Sequence, residues 1–326
     1  MPEYDAFLLV SFGGPEKPED VMPFLERVTR GRNIPRARLE EVAEHYYHFG
    51  GRSPINDQCR ALIEALQPHL DLPIYWGNRN WHPFLEDTIR QMTSDGVRRA
   101  LAFVTSAYSS YSACRQYLED IERARAAAGP AAPRCDKIRH FHNHPGFVEV
   151  NALHLREALA RAGPAPVLFT AHSIPVEMAR TSKYVQQLEE TARLVAEAAG
   201  AGDYRLVYQS RSGPPQQPWL GPDILEALDE VRAAGAESVV VAPIGFISDH
   251  MEVLYDLDFE AAERAKQIGL KMIRARTAGT HPRFIRMILE LVEERRRGET
   301  QAEPCLQDCC PAPLFRPPAA PAQPAP

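Results

Sequence analysis

The chain is organised around short, continuous apolar runs, and the most informative of them is Val167-Leu168-Phe169-Thr170-Ala171-His172-Ser173-Ile174-Pro175. Apolar and polar residues do not alternate in this run, which is typical of a strand buried on both faces of a parallel sheet. The run closes with a histidine, and the serine and proline that follow can begin a helix. We therefore predict a strand that carries an imidazole at its carboxyl end.

Similar runs predict the other strands of two sheets. The predicted strands lie at 6–10, 72–76, 99–104 and 137–141, and then at 166–170, 206–208, 238–242 and 271–275. Longer helical patterns separate them, as at 86–95, 116–127, 184–199, 222–234, 259–268 and 282–297. Strands that alternate with helices predict an α/β architecture with right-handed crossovers.

The predicted elements divide the chain into three parts. Four strands on each side of His144-Pro145-Gly146 predict one α/β domain at 1–145 and a second at 146–298. The remainder, 299–326, is rich in proline and alanine and predicts an extended tail. Binding sites in such sheets lie beyond the carboxyl ends of the strands, so the loops after the apolar runs are the candidate site.

Composition excludes several classes of function. With 326 residues and a net charge of -6, the chain lacks the basic excess that nucleic-acid binding requires. No apolar run approaches the ~20 residues of a membrane span. A strand-like stretch follows the N-terminus without a basic region, so we expect a cytoplasmic protein with no signal peptide. Its six cysteines are then expected as thiols or metal ligands.

Acidic residues recur at steps of three and four after the predicted strand at 238–242. These residues are Asp249, Glu252, Asp256, Glu260 and Glu263. The steps place them on one face of a predicted helix, next to His250. Carboxylates and an imidazole suit Fe2+ or Mg2+, although a solvated helix face with carboxylates near its positive end is the alternative.

His172 has two interpretations on the sequence alone. At the end of a buried strand its imidazole can exchange a proton near neutral pH and so serve in acid–base chemistry. It can equally be a structural histidine that bonds a loop carbonyl, and from one sequence the two interpretations stand level.

Several motifs, in this order along the chain, resemble the ferrochelatase family, which inserts ferrous iron into porphyrins. Besides the segments above they are Leu8-Leu9-Val10-Ser11-Phe12-Gly13-Gly14-Pro15, Gly50-Gly51-Arg52-Ser53-Pro54-Ile55, Gln209-Ser210-Arg211-Ser212-Gly213-Pro214-Pro215 and Pro218-Trp219-Leu220-Gly221-Pro222-Asp223. The sequences of these motifs are similar to those of the actinobacterial branch of coproporphyrin ferrochelatases. The resemblance implies two similar Rossmann-like, chelatase-type domains, and a lyase of haem biosynthesis that acts on coproporphyrin III.

The resemblance also implies roles for individual residues. His172 and Glu252 correspond to the catalytic pair and metal ligands of the family, and Asp256 and Glu260 to its metal path. The substrate-binding positions implied in the same way are Arg30, Tyr46, Ser53 and Tyr117. Phe12 stands where another branch has a tyrosine that can ligate iron. Which member of the catalytic pair takes the pyrrole proton stays open.

The cysteines of the tail form the pattern Cys305-x3-Cys309-Cys310. Several ferrochelatases hold a [2Fe-2S] cluster with three such cysteines and one internal cysteine, and four thiolates are the usual ligand set. We expect Cys114 as the internal ligand, with Cys135 next and Cys59 as the other internal cysteine. Free thiols in a flexible tail, and a zinc site with four thiolates, are the alternatives.

Other functions remain open at this stage. A ferrochelatase for protoporphyrin IX, a tetrapyrrole or haem carrier without catalysis, and a cobalt chelatase share the same architecture. The presence of both His172 and Glu252 favours an enzyme over a carrier. Its partners are then the porphyrin and, transiently, neighbouring enzymes of the haem pathway. No phosphate-binding glycine loop is present, so we expect no soluble organic cofactor.

Overall fold

The computed structural model describes residues 3–32, 34–213, 216–299 and 309–312. It contains two four-stranded parallel sheets. The first consists of β1 (Ala6–Ser11), β2 (Ile74–Asn78), β3 (Arg99–Val104) and β4 (Arg134–Lys137). The second consists of β5 (Val167–His172), β6 (Tyr204–Gln209), β7 (Ser238–Ala242) and β8 (Lys271–Arg274).

The two sheets have the same topology. Their strand orders are β2-β1-β3-β4 and β6-β5-β7-β8, so the first strand of each set lies second from one edge. All neighbouring strands are parallel. This arrangement confirms the predicted fold of two similar Rossmann-like units. The exact domain limits 1–145 and 146–298 stay a prediction, and most of 299–326 lies outside the described residues.

Helices connect the strands within each sheet. In the first half they are α1 (Val21–Val28), α2 (Arg36–His48), α3 (Ile55–Leu66), α4 (Leu85–Ser94) and α5 (Gln116–Ala128). In the second half they are α6 (Pro145–Ala162), α7 (Val176–Arg180), α8 (Tyr184–Ala199), α9 (Ile224–Ala233), α10 (Met251–Val253), α11 (Ala262–Gln267) and α12 (Pro282–Arg296). Two π-helical segments precede α5 and follow α10, at Tyr111–Arg115 and Leu254–Ala261. No described helix has the length and apolar character that crossing a membrane requires.

Each sheet is buried on both faces, as its continuous apolar strands predict. In β1 the side chains of Phe7 and Leu9 pack on one side, and those of Leu8 and Val10 pack on the other. In β5, Leu168 and Phe169 likewise belong to different apolar clusters. Burial of apolar side chains on both faces is the main driving force for such a sheet.

The predicted strand at 137–141 is wrong, because β4 lies three residues earlier. Asp136 in the middle of β4 is buried, yet it accepts hydrogen bonds from Arg99, Arg134 and the Tyr4 hydroxyl. Those partners allow a charged residue within a strand, where apolar patterning fails to predict one. The apolar Phe141 is buried after the strand has ended, where its ring stacks on Phe103 with centroids 5.3 Å apart.

The two halves share one apolar core. Phe103 of the first sheet and Phe284 of α12 belong to the same cluster, together with Leu188 of α8. The loop after β3 also reaches the second half, where the Tyr108 hydroxyl donates to the carbonyl of Ile244 at 2.8 Å. These contacts fix the carboxyl ends of the two sheets relative to each other.

Candidate metal and porphyrin site

The candidate site lies at the carboxyl end of the second sheet. His172 ends β5, and Glu252 lies in α10, after the loop that follows β7. The Nε2 atom of His172 is 3.4 Å from Oε1 of Glu252. The side chains are 30% and 46% exposed, so both are open to a molecule approaching from solvent.

Backbone contacts orient the imidazole of His172. Its Nδ1 donates to the carbonyl of Ser173, so Nε2 carries an N–H towards Glu252 when the ring is protonated and a lone pair for a metal when the ring is neutral. The Tyr184 hydroxyl donates to the His172 carbonyl at 2.9 Å, and the Ser173 amide donates to the carbonyl of Gln209 at 2.7 Å. The ring is therefore held by α8 and by the neighbouring strand.

The His172–Glu252 pair is ionised at neutral pH. Burial lowers the pKa of His172, but the charge and hydrogen bond of Glu252 raise it overall to about 9. Burial raises the pKa of Glu252, and the charge of His172 lowers it overall to about 2. A cation that binds this pair must displace a proton from the imidazole.

The prediction that the five acidic residues, the acidic stripe, lie on one face of an α-helix is wrong. The stretch Leu254–Ala261 is π-helical, which changes the angle between successive residues. Asp249 lies before the helix and pairs with Arg274 at 3.1 Å, while Glu263 pairs with Lys266 at 3.7 Å. Both of these carboxylates are engaged away from His172.

Asp256 is the stripe residue with the most contacts near the pair. Its Oδ2 accepts hydrogen bonds from the Ser210 hydroxyl and, at 3.3 Å, from Nε2 of Gln209. Burial raises the pKa of Asp256 to about 7, with the charge of Glu252 adding to the rise. Glu260, one π-turn further on, is exposed, and its pKa is raised by partial burial.

The predicted substrate residue Tyr46 lies on the side of α2 that faces this group. Burial raises the pKa of Tyr46, and the charges of Glu252 and Asp256 add to the rise, so its hydroxyl lies within electrostatic reach of both carboxylates. Its ring packs edge-on against Phe24 with centroids 5.8 Å apart, and Phe24 packs in turn against Phe12. The first half thus presents an aromatic surface towards the carboxylates of the second.

The other three predicted substrate residues lie elsewhere, and no described contact joins them to the His172–Glu252 pair. Arg30 is exposed after the end of α1 and forms no ion pair within the described part of the chain. Ser53 is buried against Gly14, where a Cβ added to the glycine would lie 2.9 Å from the serine hydroxyl. Tyr117 is buried in the core, with the guanidinium of Arg79 4.4 Å from the centre of its ring.

Three residues near the pair have no role in the sequence predictions, namely Tyr184, Gln209 and Ser210, although the last two begin one of the family motifs. The signal for Gln209 is its place, since it pairs in register with His172 at the end of the neighbouring strand. A predicted strand ending at 208 stops one residue short of it. Ser210 adopts a φ of 62°, an uncommon conformation outside glycine that the sequence does not announce.

The chain segments that carry two of the predicted cluster cysteines, Cys114 and Cys309, are in contact. Cys114 is buried in the π-helical turn before α5. The guanidinium of its neighbour Arg115 donates to the carbonyl of Cys309 at 2.9 Å and lies 3.9 Å from the Cys309 sulfur. Cys310 is buried, whereas Cys305 lies outside the described residues.

Among residues 3–32, 34–213, 216–299 and 309–312, no group of three or more histidine, cysteine or acidic side chains is arranged to hold a metal ion. Cys135, the alternative internal ligand, pairs with Ala100 near the amino end of β3. Cys114 follows the opposite end of that strand. The tail segment with Cys309 contacts Arg115, the neighbour of Cys114, and this contact favours Cys114 over Cys135 as the internal ligand.

Comparison with known proteins gives close relatives over nearly the whole chain. A profile of the ferrochelatase family matches residues 4–296. The chain is 55% identical to a protein of Rhodopirellula baltica named ferrochelatase, over 98% of this chain and 97% of the relative. It is 51% identical to a protein of Nocardia farcinica named coproporphyrin III ferrochelatase, over 97% and 99% of the two chains.

Solved structures agree in fold at much lower identity. The protein SirB from Bacillus subtilis, determined with Fe3+, is 12% identical and superposes with a TM-score of 0.60. That match covers 92% of this chain and 100% of SirB. CbiX, described as the terminal enzyme of sirohaem biosynthesis in denitrifying bacteria, gives a TM-score of 0.50 at 13% identity, over 88% and 98% of the chains. At such identities the likeness concerns the fold alone.

Proposed function

This chain belongs to the ferrochelatase family, and from that membership we propose that it inserts Fe2+ into coproporphyrin III to form coprohaem. The enzyme is a lyase of haem biosynthesis, and iron is its substrate. The observation that carries the proposal is the His172–Glu252 pair, with 3.4 Å between Nε2 and Oε1, at the sheet edge where such folds bind ligands. The name of the Rhodopirellula relative does not specify a porphyrin, so protoporphyrin IX is the alternative substrate.

The pair supplies the proton chemistry that iron insertion needs. Each turnover releases two protons from the pyrrole nitrogens as the four nitrogens bind iron. We assign His172 as metal ligand once its own proton has been displaced, and as proton acceptor once iron has passed from Nε2 to the ring, with Glu252 as its partner. Because their reactive atoms are 3.4 Å apart, a proton taken by either can pass to the other. Further ligands of an arriving cation would come from water until the ring replaces them.

Asp256 and Glu260 extend the acidic surface away from the pair, and we assign them to the path of the hydrated cation. A pKa of about 7 means that Asp256 is part protonated at neutral pH, so its charge changes readily when a cation approaches. Oxygen ligands of this kind suit a transient divalent cation.

The porphyrin is proposed to bind between this acidic surface and the aromatic surface of Phe12, Phe24 and Tyr46. Arg30 is suited to the propionates because it is an exposed cation without an ion pair in the described chain. Ser53 and Tyr117 are proposed by resemblance alone, and the burial of Tyr117 beneath Arg79 does not itself support direct contact with substrate.

We further propose a [2Fe-2S] cluster held by Cys114, Cys305, Cys309 and Cys310. The contact between Arg115 and Cys309 supports Cys114 as the internal ligand, since it brings the tail to the turn that carries Cys114. Cys114, Cys309 and Cys310 form no metal-binding group in the described residues, so they would have to move together to hold the cluster. The positive guanidinium next to the Cys309 sulfur also favours a thiolate, which is the form that binds metals. The pattern of ligands would anchor the tail to the first half.

The cluster predicts a visible chromophore that depends on specific cysteines. Protein purified without oxygen should absorb in the visible range and contain iron and acid-labile sulfide. Cys309→Ser and Cys114→Ser should lose this absorbance, while Cys135→Ser should keep it. A colourless wild type that carries zinc would contradict the cluster and favour the zinc site.

We place the enzyme in the cytoplasm and expect transient contact with neighbouring haem-pathway enzymes. The first proposal is consistent with the lack of a membrane-spanning helix in the described residues. The second follows from the resemblance alone, because coprohaem has to be passed on for further conversion.

An anaerobic assay tests the main proposal. Pure protein is mixed with Fe2+ and coproporphyrin III, and in parallel with protoporphyrin IX, while porphyrin absorbance is followed. We expect turnover with coproporphyrin III and a higher kcat/KM for it than for protoporphyrin IX. Tight porphyrin binding without turnover would support the carrier instead. A faster reaction with protoporphyrin IX would make protoporphyrin IX the preferred substrate in place of coproporphyrin III.

His172→Ala tests the assigned catalytic residue. Loss of an acid–base group that also ligates the metal should lower kcat by about 10²–10⁴-fold. Porphyrin affinity, measured by fluorescence quenching, should change little. His69→Ala is a matched control, because His69 is an exposed histidine that follows α3. Turnover by His172→Ala at the rate of the control would refute the assignment.

A further inference from the structure

Gln209 occupies a central place among the residues of the proposed site. It ends β6 and pairs in register with His172 on β5. Its carbonyl accepts the Ser173 amide at 2.7 Å, so its backbone is tied to the residue after His172. The residue is 1% exposed, which excludes it from direct contact with solvent.

The side-chain amide of Gln209 links two parts of the acidic surface. Its Nε2 donates to the backbone carbonyl of Glu252 at 3.0 Å and to Oδ2 of Asp256 at 3.3 Å. One amide group thus contacts the backbone of one proposed metal residue and the carboxylate of another. Through β6 it connects both to the strand that carries His172.

The orientation of this amide is fixed by its neighbours. The Glu252 carbonyl and the Asp256 carboxylate are both acceptors, so the opposite orientation would place the amide oxygen against two other oxygens. In the orientation that results, Oε1 of Gln209 is buried without a hydrogen-bond partner. A buried acceptor without a partner is costly, which means that this glutamine is not the residue that stability alone would favour.

We propose that Gln209 is a positioning residue that sets Glu252 and Asp256 relative to His172 for delivery of the metal. This inference rests on the proposed iron insertion. Gln209 does not touch the porphyrin or the iron in this role. It holds the start of the acidic surface at a fixed distance from the imidazole.

Gln209→Met tests this role, because methionine has a similar length and no N–H donor. The variant loses the hydrogen bond from Gln209 to the Asp256 carboxylate. Because hydrogen bonds to charged groups are among the stronger ones, we expect kcat/KM for Fe2+ to fall on the order of 10-fold. The KM for coproporphyrin III should stay within about two-fold of wild type, because loss of a single buried donor leaves the porphyrin contacts in place. This split between the two substrates would not result from a general loss of folding.

Gln187→Met is the matched control. Gln187 is also a buried glutamine, 8% exposed, whose Oε1 accepts hydrogen bonds from the amide and hydroxyl of Ser109. It therefore loses buried hydrogen bonds without any contact to Glu252 or Asp256. Equal losses of kcat/KM for Fe2+ in both variants would overturn the positioning role, as would a wild-type value in Gln209→Met.

A calorimetric titration of porphyrin-free protein with Co2+ gives a readout independent of turnover. We expect weaker Co2+ binding by Gln209→Met than by wild type and by Gln187→Met. If wild type shows no turnover, the proposed iron insertion fails, and the Co2+ affinities still decide the role of Gln209. Equal affinities overturn that role, and a wild type that neither turns over nor binds Co2+ overturns both proposals.

Discussion

The His172–Glu252 pair gives a prediction at the scale of single residues. Glu252→Gln removes the negative charge that raises the pKa of His172 and leaves burial to lower it. An NMR titration of the imidazole should therefore give a midpoint near 9 in the wild type and a lower one in the variant. Glu263→Gln is a control, since Glu263 pairs with Lys266. Equal midpoints in wild type and Glu252→Gln would contradict the coupling.

The same pKa shifts fix how the pair contributes to stability at each pH. The pKa of His172 is raised, so its contribution is complete below the ordinary value of 6.5 and is lost as pH rises through about 9. The pKa of Glu252 is lowered, so its contribution is complete above 4.5 and is lost as pH falls through about 2. Iron competes with the proton on His172, which means that iron binding should strengthen as pH rises towards 9.

The sequence predicts some of these residues and misses others for a physical reason. His172 closes one apolar run, Glu252 lies in the helix after the loop that follows another, and such positions meet at one edge of a parallel sheet. Gln209 and Ser210 act through hydrogen bonds to Asp256, a residue more than forty positions away. Local patterns carry no record of such long-range pairs, so proximity appears only in the folded chain.

At the scale of elements, the loop after β7 must pack tightly on the end of β5. A Cβ added at Gly245 would lie 2.5 Å from the Cα of Ala171, next to His172. Gly245→Ala should therefore push this loop away from β5 and destabilise the fold by about 1–3 kcal/mol, as overpacking does. Activity should fall further than stability alone explains, because Glu252 lies beyond the loop.

Gly202→Ala is the matched control for this change. A methyl group added at Gly202 would meet open space, and the backbone there has no positive φ. The free energy of unfolding of the variant should therefore lie within about 0.5 kcal/mol of the wild-type value. Thermal unfolding and the iron-insertion assay are measured on both variants. A Gly245→Ala enzyme with wild-type activity would show that the loop can move without affecting the pair.

The π-helical segment Leu254–Ala261 marks the limit of element prediction. Steps of four between Glu252, Asp256 and Glu260 fit both an α-helix and a π-helix, so spacing alone predicts the commoner α form. The distinction lies in tertiary contacts. Arg274 of β8 holds Asp258 at 2.5 Å and Asp249 at 3.1 Å. Such contacts also explain why Asp249 leaves the predicted stripe.

At the scale of the whole molecule, the repeated order of strands is readable from the sequence and the joint between the halves is not. Two sets of four apolar runs predict two similar sheets, and the structure has them. The halves are joined by Tyr108, Ser109 and Gln187, which are polar groups from distant segments. Because the two sheets share an apolar cluster, we expect them to unfold as one cooperative unit.

Tyr108→Phe tests that cooperativity. The change removes the hydroxyl that donates to Ile244 and leaves a buried carbonyl without its partner, which should cost about 1–2 kcal/mol. Because the core is shared, we expect one unfolding transition in both proteins, with a lower midpoint in the variant, when circular dichroism and tryptophan fluorescence are followed together. Tyr75→Phe is the control, because the hydroxyl of Tyr75 bonds Asp95 at the surface and should matter little. Two separate transitions in wild type would mean that the halves unfold independently. An unchanged midpoint in Tyr108→Phe would mean that this hydrogen bond does not stabilise the contact between the halves.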